Sequence, residues 1–118
     1  MVDLDIDRNG NALVVRLQGE IDLCAAEALR PRLDKEIERQ KAKHLVFNLR
    51  GVDFIDSSGI GFILGRYKRV KALGGKVALA GPNRSVHRII ELSGMYKLME
   101  GYANEVEALR ALEGGKTG

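Results

Sequence analysis

Val52-Asp53-Phe54-Ile55-Asp56-Ser57-Ser58-Gly59-Ile60-Gly61 separates two kinds of hydrophobic pattern. Before it, Leu45-Val46-Phe47-Asn48-Leu49 is a near-continuous apolar run, as expected of a strand buried on both faces. After it, Ile60, Ile63, Leu64, Tyr67 and Val70 recur at the spacing that lines one face of a helix. The stretch therefore reads as a strand-loop-helix junction, with a carboxylate, two hydroxyls and a glycine at its turn. The first N–H groups of a helix have no intrahelical acceptor, so Asp56 or either serine can cap it there. The same N–H groups and the positive end of the helix dipole can also hold an anion.

Working outward, residues 44–49 form a central strand, and the helix opened by the junction closes at Gly74-Gly75, a C-cap signal. On the N-terminal side, residues 2–8 alternate apolar and acidic, Asn9-Gly10 marks a tight hairpin, and residues 12–17 form a second strand ending at Gly19. Residues 23 to about 41 keep helical phase through Leu23, Ala26, Leu29, Leu33 and Ile37, with Asp22 placed to cap them. Pro31 interrupts that phase and costs roughly 3 kcal/mol relative to alanine, so the expectation is a helix kinked there, the alternative being a short helix and a break. Beyond the central helix come a strand over 76–80, a helix capped by Asn83 and closed by Gly94, and a short strand over 98–102. A last helix follows, opened by the capping box Asn104 and Glu107. Strands alternating with helices predict an α/β domain, a mixed sheet of about five strands covered by about four helices over residues 1–113. The glycine-rich end, 114–118, is expected to be disordered.

The chain has 118 residues, enough for one compact core, with 45% hydrophobic and 30% charged residues. A net charge of +3, with both signs interleaved, and an aromatic complement of three Tyr, three Phe and no Trp argue against direct nucleic-acid binding. No apolar run approaches the roughly 18 residues of a membrane span, and the acidic start lacks the basic and apolar regions of a signal peptide. The expectation is a cytoplasmic protein with no membrane attachment. The single Cys24 reads as a small, partly buried apolar residue.

For catalysis the residues offer little. Ile55 stands where a Gly-x-Ser-x-Gly elbow around Ser57 needs glycine, and the two histidines, His44 and His87, have no sequence reason to approach the serine. A serine hydrolase is the competing reading from another class. Gly59, Gly61 and Gly65 miss the Gly-x-Gly-x-x-Gly spacing by one residue, and one cysteine with two separated histidines makes no metal cluster. No cofactor is expected. Gly61 and Gly65 share a helix face, where glycine costs about 1 kcal/mol each against alanine, so either another element of the fold or a partner approaches closely. Arg66, Lys68, Arg69 and Lys71 read as a solvated face or as a contact for an acidic partner.

Asp56-Ser57-Ser58-Gly59-Ile60-Gly61, continued by Ile63-Leu64-Gly65-Arg66-Tyr67-Lys68, resembles the signature of the anti-sigma factor antagonists, the small bacterial STAS domains. Gly19-Glu20-Ile21-Asp22 and Ser93-Gly94-Met95-Tyr96-Lys97 extend the resemblance over nearly the whole chain, and the branch most similar is the sporulation antagonist of the anti-sigma-F kinase. The resemblance implies a non-enzymatic partner switch. Unphosphorylated protein would bind an anti-sigma factor serine kinase and release its sigma factor; phosphorylation at Ser57 would end the contact and a serine phosphatase would reset it. The implied partner-binding residues are Asp22, Asp56, Ser57, Ser58, Gly59, Gly61 and Arg66. Leu23-Cys24 stands where the sporulation branch usually has two histidines, so a STAS module of a stress-response or sensor-scaffold system is the alternative.

Overall fold

The computed structural model of the chain describes residues 2–114. β1 (Val2–Asn9) and β2 (Ala12–Ile21) form the antiparallel hairpin that Asn9-Gly10 predicts, with Asn9 opposite Ala12. α1 (Leu23–Gln40) leads to β3 (His44–Ile55), and α2 (Ser57–Ala72) leads to β4 (Val77–Ala80). α3 (Arg84–Ser93) and a 3-10 turn, Met95–Lys97, precede β5 (Glu100–Tyr102), and α4 (Glu105–Gly114) ends the described chain. Of the expected tail, 114–118, residues 115–118 lie outside the described residues, and Gly114 is the last residue of α4.

The sheet order is β1-β2-β3-β4-β5, with β2 to β5 mutually parallel. Each parallel step advances in one direction, so right-handed crossovers place α1, α2 and α3 on the same face. The core on that face joins Leu33 of α1, Ile63 of α2 and Ile90 of α3 to Leu13, Val15, Phe47 and Leu79 of the strands. On the opposite face Ala108 and Leu112 of α4 cover Val14, Val46, Ala78 and Ala80. An α/β domain of five strands and four helices results, as the alternating pattern predicts.

Several boundaries differ from expectation. β2 and β3 run on to Ile21 and Ile55, beyond the expected ends at residues 17 and 49, so residues 52–55 of the junction are strand rather than loop. Register shifts between Arg16 and Gln18 and between Gly19 and Glu20 explain the miss, because each bulge breaks the alternation by which a strand is recognised. β5 is shorter than 98–102, since the Leu98 and Met99 amides donate back to the Met95 carbonyl and close the 3-10 turn instead of joining the strand. α1 is continuous through Pro31 rather than broken. Pro31 and Glu27, whose carbonyl loses its helical donor, are both exposed, so water can satisfy that carbonyl. Leu23 and Cys24, expected on the buried side, are exposed.

Candidate functional site

Because β2 and β3 are parallel and Ile21 pairs with Ile55, the strands end side by side and deliver the next residues, Asp22 and Asp56, to one edge of the sheet. The Asp56 amide donates to the Ile21 carbonyl at 3.4 Å, tying the two turns together. Each aspartate is the N-cap of its helix. Asp22 Oδ1 accepts from the Ala25 amide at 3.0 Å, and Asp56 Oδ1 accepts from the Ser58 and Gly59 amides at 2.9 and 3.1 Å. Two helix N-termini, each closed by a carboxylate, thus stand next to each other at the carboxyl ends of the strands, where open α/β sheets commonly place their binding sites.

The cap assignment settles what Ser57 is free to do. Capping is done by Asp56, so Ser57 is the first residue of α2, exposed, with no capping duty for its hydroxyl. Ser58 is half-buried and Gly59 buried. Gly59 is an internal requirement of the fold: a Cβ there would lie 2.4 Å from the Ile21 carbonyl oxygen and 2.6 Å from Ile55 Cγ1. Gly61 and Gly65 are the opposite case, since a Cβ at either would meet nothing within 4 Å. Among the described residues, no other element of the fold fills the space above them.

Those two glycines form part of a groove of about 360 Å³ between α1 and α2. Leu23, Ala26, Glu27 and Arg30 line one wall, and Ser58, Gly61, Phe62, Gly65 and Arg66 the other. Each row follows the i, i+3, i+4, i+7 spacing of one helix face. Arg66 corrects an expectation: it does not share a solvated face with Lys68 and Lys71 but is only 6% exposed. Its guanidinium carbon lies 5.3 Å from the centre of the Phe62 ring, and Nε lies 2.8 Å from Asp34 Oδ1 on α1. That contact is a charge pair without hydrogen-bond alignment, and Nη1 has no acceptor among the described residues. Burial pushes the Arg66 guanidinium below its ordinary value; Asp34 opposes this, while Arg69 and Arg30 add to it.

Sequence reasoning named Asp22 and Asp56 separately, and the parallel pairing brings them together. It missed Leu23, 58% exposed at the groove mouth, and Phe54, 46% exposed near the end of β3. It also missed Asp34 and Phe62, the buried companions of Arg66. The row Leu23, Ala26, Glu27, Arg30 was the available signal, because it is a second helical face beside the core-facing one.

Neither histidine joins Ser57 in a catalytic pair. His44 opens β3, the far end of a 12-residue strand and roughly 35 Å from Ile55. His87 Nδ1 is 2.7 Å from the Tyr96 hydroxyl, in a pocket of about 610 Å³ beyond the ends of β4 and β5. Among the described residues no helix is long and apolar enough to cross a membrane.

Comparison with known proteins follows the same lines. An anti-sigma F factor antagonist of Paenibacillus polymyxa is 40% identical over 112 residues, covering 95% of this chain and 96% of the relative. The anti-sigma-B factor antagonist of Bacillus subtilis is 29% identical, covering 84% and 89%. Among solved structures, the anti-sigma factor antagonist SpoIIAA in its unphosphorylated form superposes with a TM-score of 0.82 at 29% identity, covering 95% and 97% of the two chains. The same determinant in its phosphorylated form superposes with a TM-score of 0.72 at 28% identity, covering 92% and 98%. Residues 3–108, spanning every strand and the paired caps, match the STAS domain, and with these relatives they establish that the chain belongs to the STAS domain family.

Proposed function

We propose that this chain is an anti-sigma factor antagonist that binds a serine-kinase anti-sigma factor through the edge carrying Asp22, Asp56 and Ser57, and is switched off by phosphorylation at Ser57. The observation that carries the reading is the exposed Ser57 hydroxyl at the first position of α2, released from capping by Asp56. The names of the relatives support the same reading. Ser57 Oγ attacks the γ-phosphorus of ATP held by the kinase, the bond to ADP breaks, and the hydroxyl proton passes to a base of the kinase or to water. A phosphatase returns serine and inorganic phosphate by hydrolysis. The domain itself does no chemistry and needs no cofactor.

Phosphate at Ser57 adds about −1.5 to −2 charge beside two carboxylates already committed to caps. It suits the helix N-terminus but not a contact surface, where its water must be stripped or the partner held off. Asp22, Ser58 and the open side of Gly61 and Gly65 complete the contact surface, with Gly59 and Arg66 acting from beneath it. The reading places the protein in the cytoplasm with its kinase and phosphatase. The likeness to an anti-sigma-B factor antagonist and the exposed Leu23-Cys24 favour a stress-response system as the second reading.

The test uses the anti-sigma F factor of Paenibacillus polymyxa with ATP. Mass spectrometry should find phosphate on Ser57 and none on Ser57→Ala. Calorimetry should find the unmodified chain bound and the phosphorylated chain unbound. Equal affinity of the two forms would overturn the switch.

A further inference from the structure

β4 and β5 are adjacent and parallel, but the chain leaves them in opposite directions: β4 is followed by α3 on one face of the sheet, and β5 by α4 on the other. β2 and β3, by contrast, both lead to helices on the same face. Where neighbouring connections part in this way a crevice opens beyond the carboxyl ends of the two strands, and open α/β sheets bind small ligands in such crevices. The pocket of about 610 Å³ around His87 opens there. The two strand ends that line it are joined by the Gly81 amide, which donates to the Tyr102 carbonyl at 2.9 Å. Asp22, Asp56 and Ser57, beyond the ends of β2 and β3, are not among its lining residues.

The lining selects by charge. Tyr96 and Tyr102 bring two aromatic rings to it, one packed with the core on each face of the sheet, and His87 Nδ1 lies 2.7 Å from the Tyr96 hydroxyl. The Tyr96 ring rests on bare strand, since a Cβ at Gly101 would lie 2.7 Å from its Cε1. Aromatic faces attract cations. Among the described lining residues Glu100 is the one carboxylate, and neither lysine nor arginine is present. Glu100 Oε2 accepts from the Tyr102 hydroxyl at 2.6 Å, and Oε1 accepts no hydrogen bond among the described residues. A phosphate or carboxylate would find no counter-charge here. Both phenols register the same negative field. Burial first, then the hydrogen bond and charge of Glu100, push the Tyr102 hydroxyl up to about 12. Burial first, then the Glu91 carboxylate, push the Tyr96 hydroxyl up as well.

We propose that the crevice between β4 and β5 binds a small organic ammonium ion, its charge held by Glu100 and its body by the rings of Tyr96 and Tyr102. The site is separate from the Ser57 switch, and it stands or falls independently of that reading.

An NMR amide-shift titration of the full chain tests this with matched probes at about pH 8, where free imidazole is uncharged. Choline is compared with its neutral isostere 3,3-dimethylbutan-1-ol, and 2-phenylethylamine with 2-phenylethanol. At least one ammonium probe should give saturable shifts centred on the residues that line the crevice. Its neutral counterpart should bind at least about tenfold more weakly, a difference of about 1.4 kcal/mol. Glu100 is exposed, and glutamine keeps an oxygen acceptor for Tyr102, so Glu100→Gln should unfold at the same denaturant concentration as the parent. It should weaken the ammonium probe about three- to fivefold and leave the neutral one unchanged. Tyr96→Leu, followed by the same unfolding curve, should weaken the ammonium probe by a further ring's contribution, about two- to fivefold. Equal affinity for the charged and neutral members of both pairs overturns the ammonium class. An ammonium affinity untouched by Glu100→Gln overturns the site, as do shifts centred on Asp22 and Asp56. Absence of a saturable shift with either ammonium probe overturns the inference and leaves the proposed function standing.

Discussion

Ser57 is available because the residue before it does the capping. Asp56 Oδ1 accepts two amide hydrogens, which leaves the Ser57 hydroxyl pointing to solvent work rather than helix work. Ser57→Asp is therefore expected to unfold within about 1 kcal/mol of the parent, since a charge at a helix N-terminus is mildly favourable. The same substitution should weaken kinase binding at least about tenfold, whereas Ser57→Ala should bind like the parent; paired calorimetry and urea unfolding check both. Gly59 shows the opposite dependence. A methyl group there collides with the Ile21 carbonyl and with Ile55, so Gly59→Ala should lose about 2–4 kcal/mol in urea unfolding and separate the two caps. Loss below about 1 kcal/mol would mean that β2 and α2 can move apart freely.

Two elements hold the frame behind the site. α1 runs through Pro31, and the exposed position makes the missing hydrogen bond tolerable rather than harmless. Pro31→Ala should raise stability by about 1–3 kcal/mol in denaturant unfolding, with kinase binding unchanged because the groove wall is formed by other residues. α4 is fastened differently. Glu105 accepts from Arg16 Nε at 2.6 Å and Nη2 at 3.1 Å, and from Asn48 Nδ2 at 2.6 Å, while Arg16 also reaches Asp5 and Asp7. The Arg16 hydrogen bonds hold the Glu105 carboxyl below the usual range, against the opposing effect of burial, with Asn48 assisting. A depressed carboxylate stabilises the fold fully above its unfolded midpoint, about pH 4.3, and less as pH falls through the folded one. Glu105→Gln should accordingly cost roughly 1–2 kcal/mol at pH 7, and the difference from the parent should shrink in acid below about pH 4. Unfolding curves at several pH values would show it.

At the scale of the molecule, β2, β3 and β4 are covered on both faces, while β1 and β5 are the sheet edges. Hydrogen exchange should be slowest in the three central strands and fastest in β1 and β5, and phosphate on Ser57 should alter exchange only around the first turns of α1 and α2. Much of this architecture is local in origin. The hairpin at Asn9-Gly10, the caps Asp22, Asn83 and Asn104, and the core face Ile60, Ile63 and Val70 of α2 are each settled by residues within a few positions of one another. Unlike the choice of Asp56 over Ser57 and Ser58 as the α2 cap, which came from the structure, they were determined by the sequence by itself. The same holds for the motif around Ser57, whose resemblance named the family. Tertiary structure alone decided the rest. The full length of β2 and β3 depends on partner strands that tolerate bulges, and the pairing of Asp22 with Asp56 depends on two strands 34 residues apart ending in register at Ile21 and Ile55. The burial of Arg66 follows from the same cause: its helical position allows a solvated face, and only the packing of α1 against α2 brings Asp34 and Phe62 around it. Periodicity reports which side of a helix is apolar, but which neighbour covers the other side is a long-range contact that no local pattern encodes.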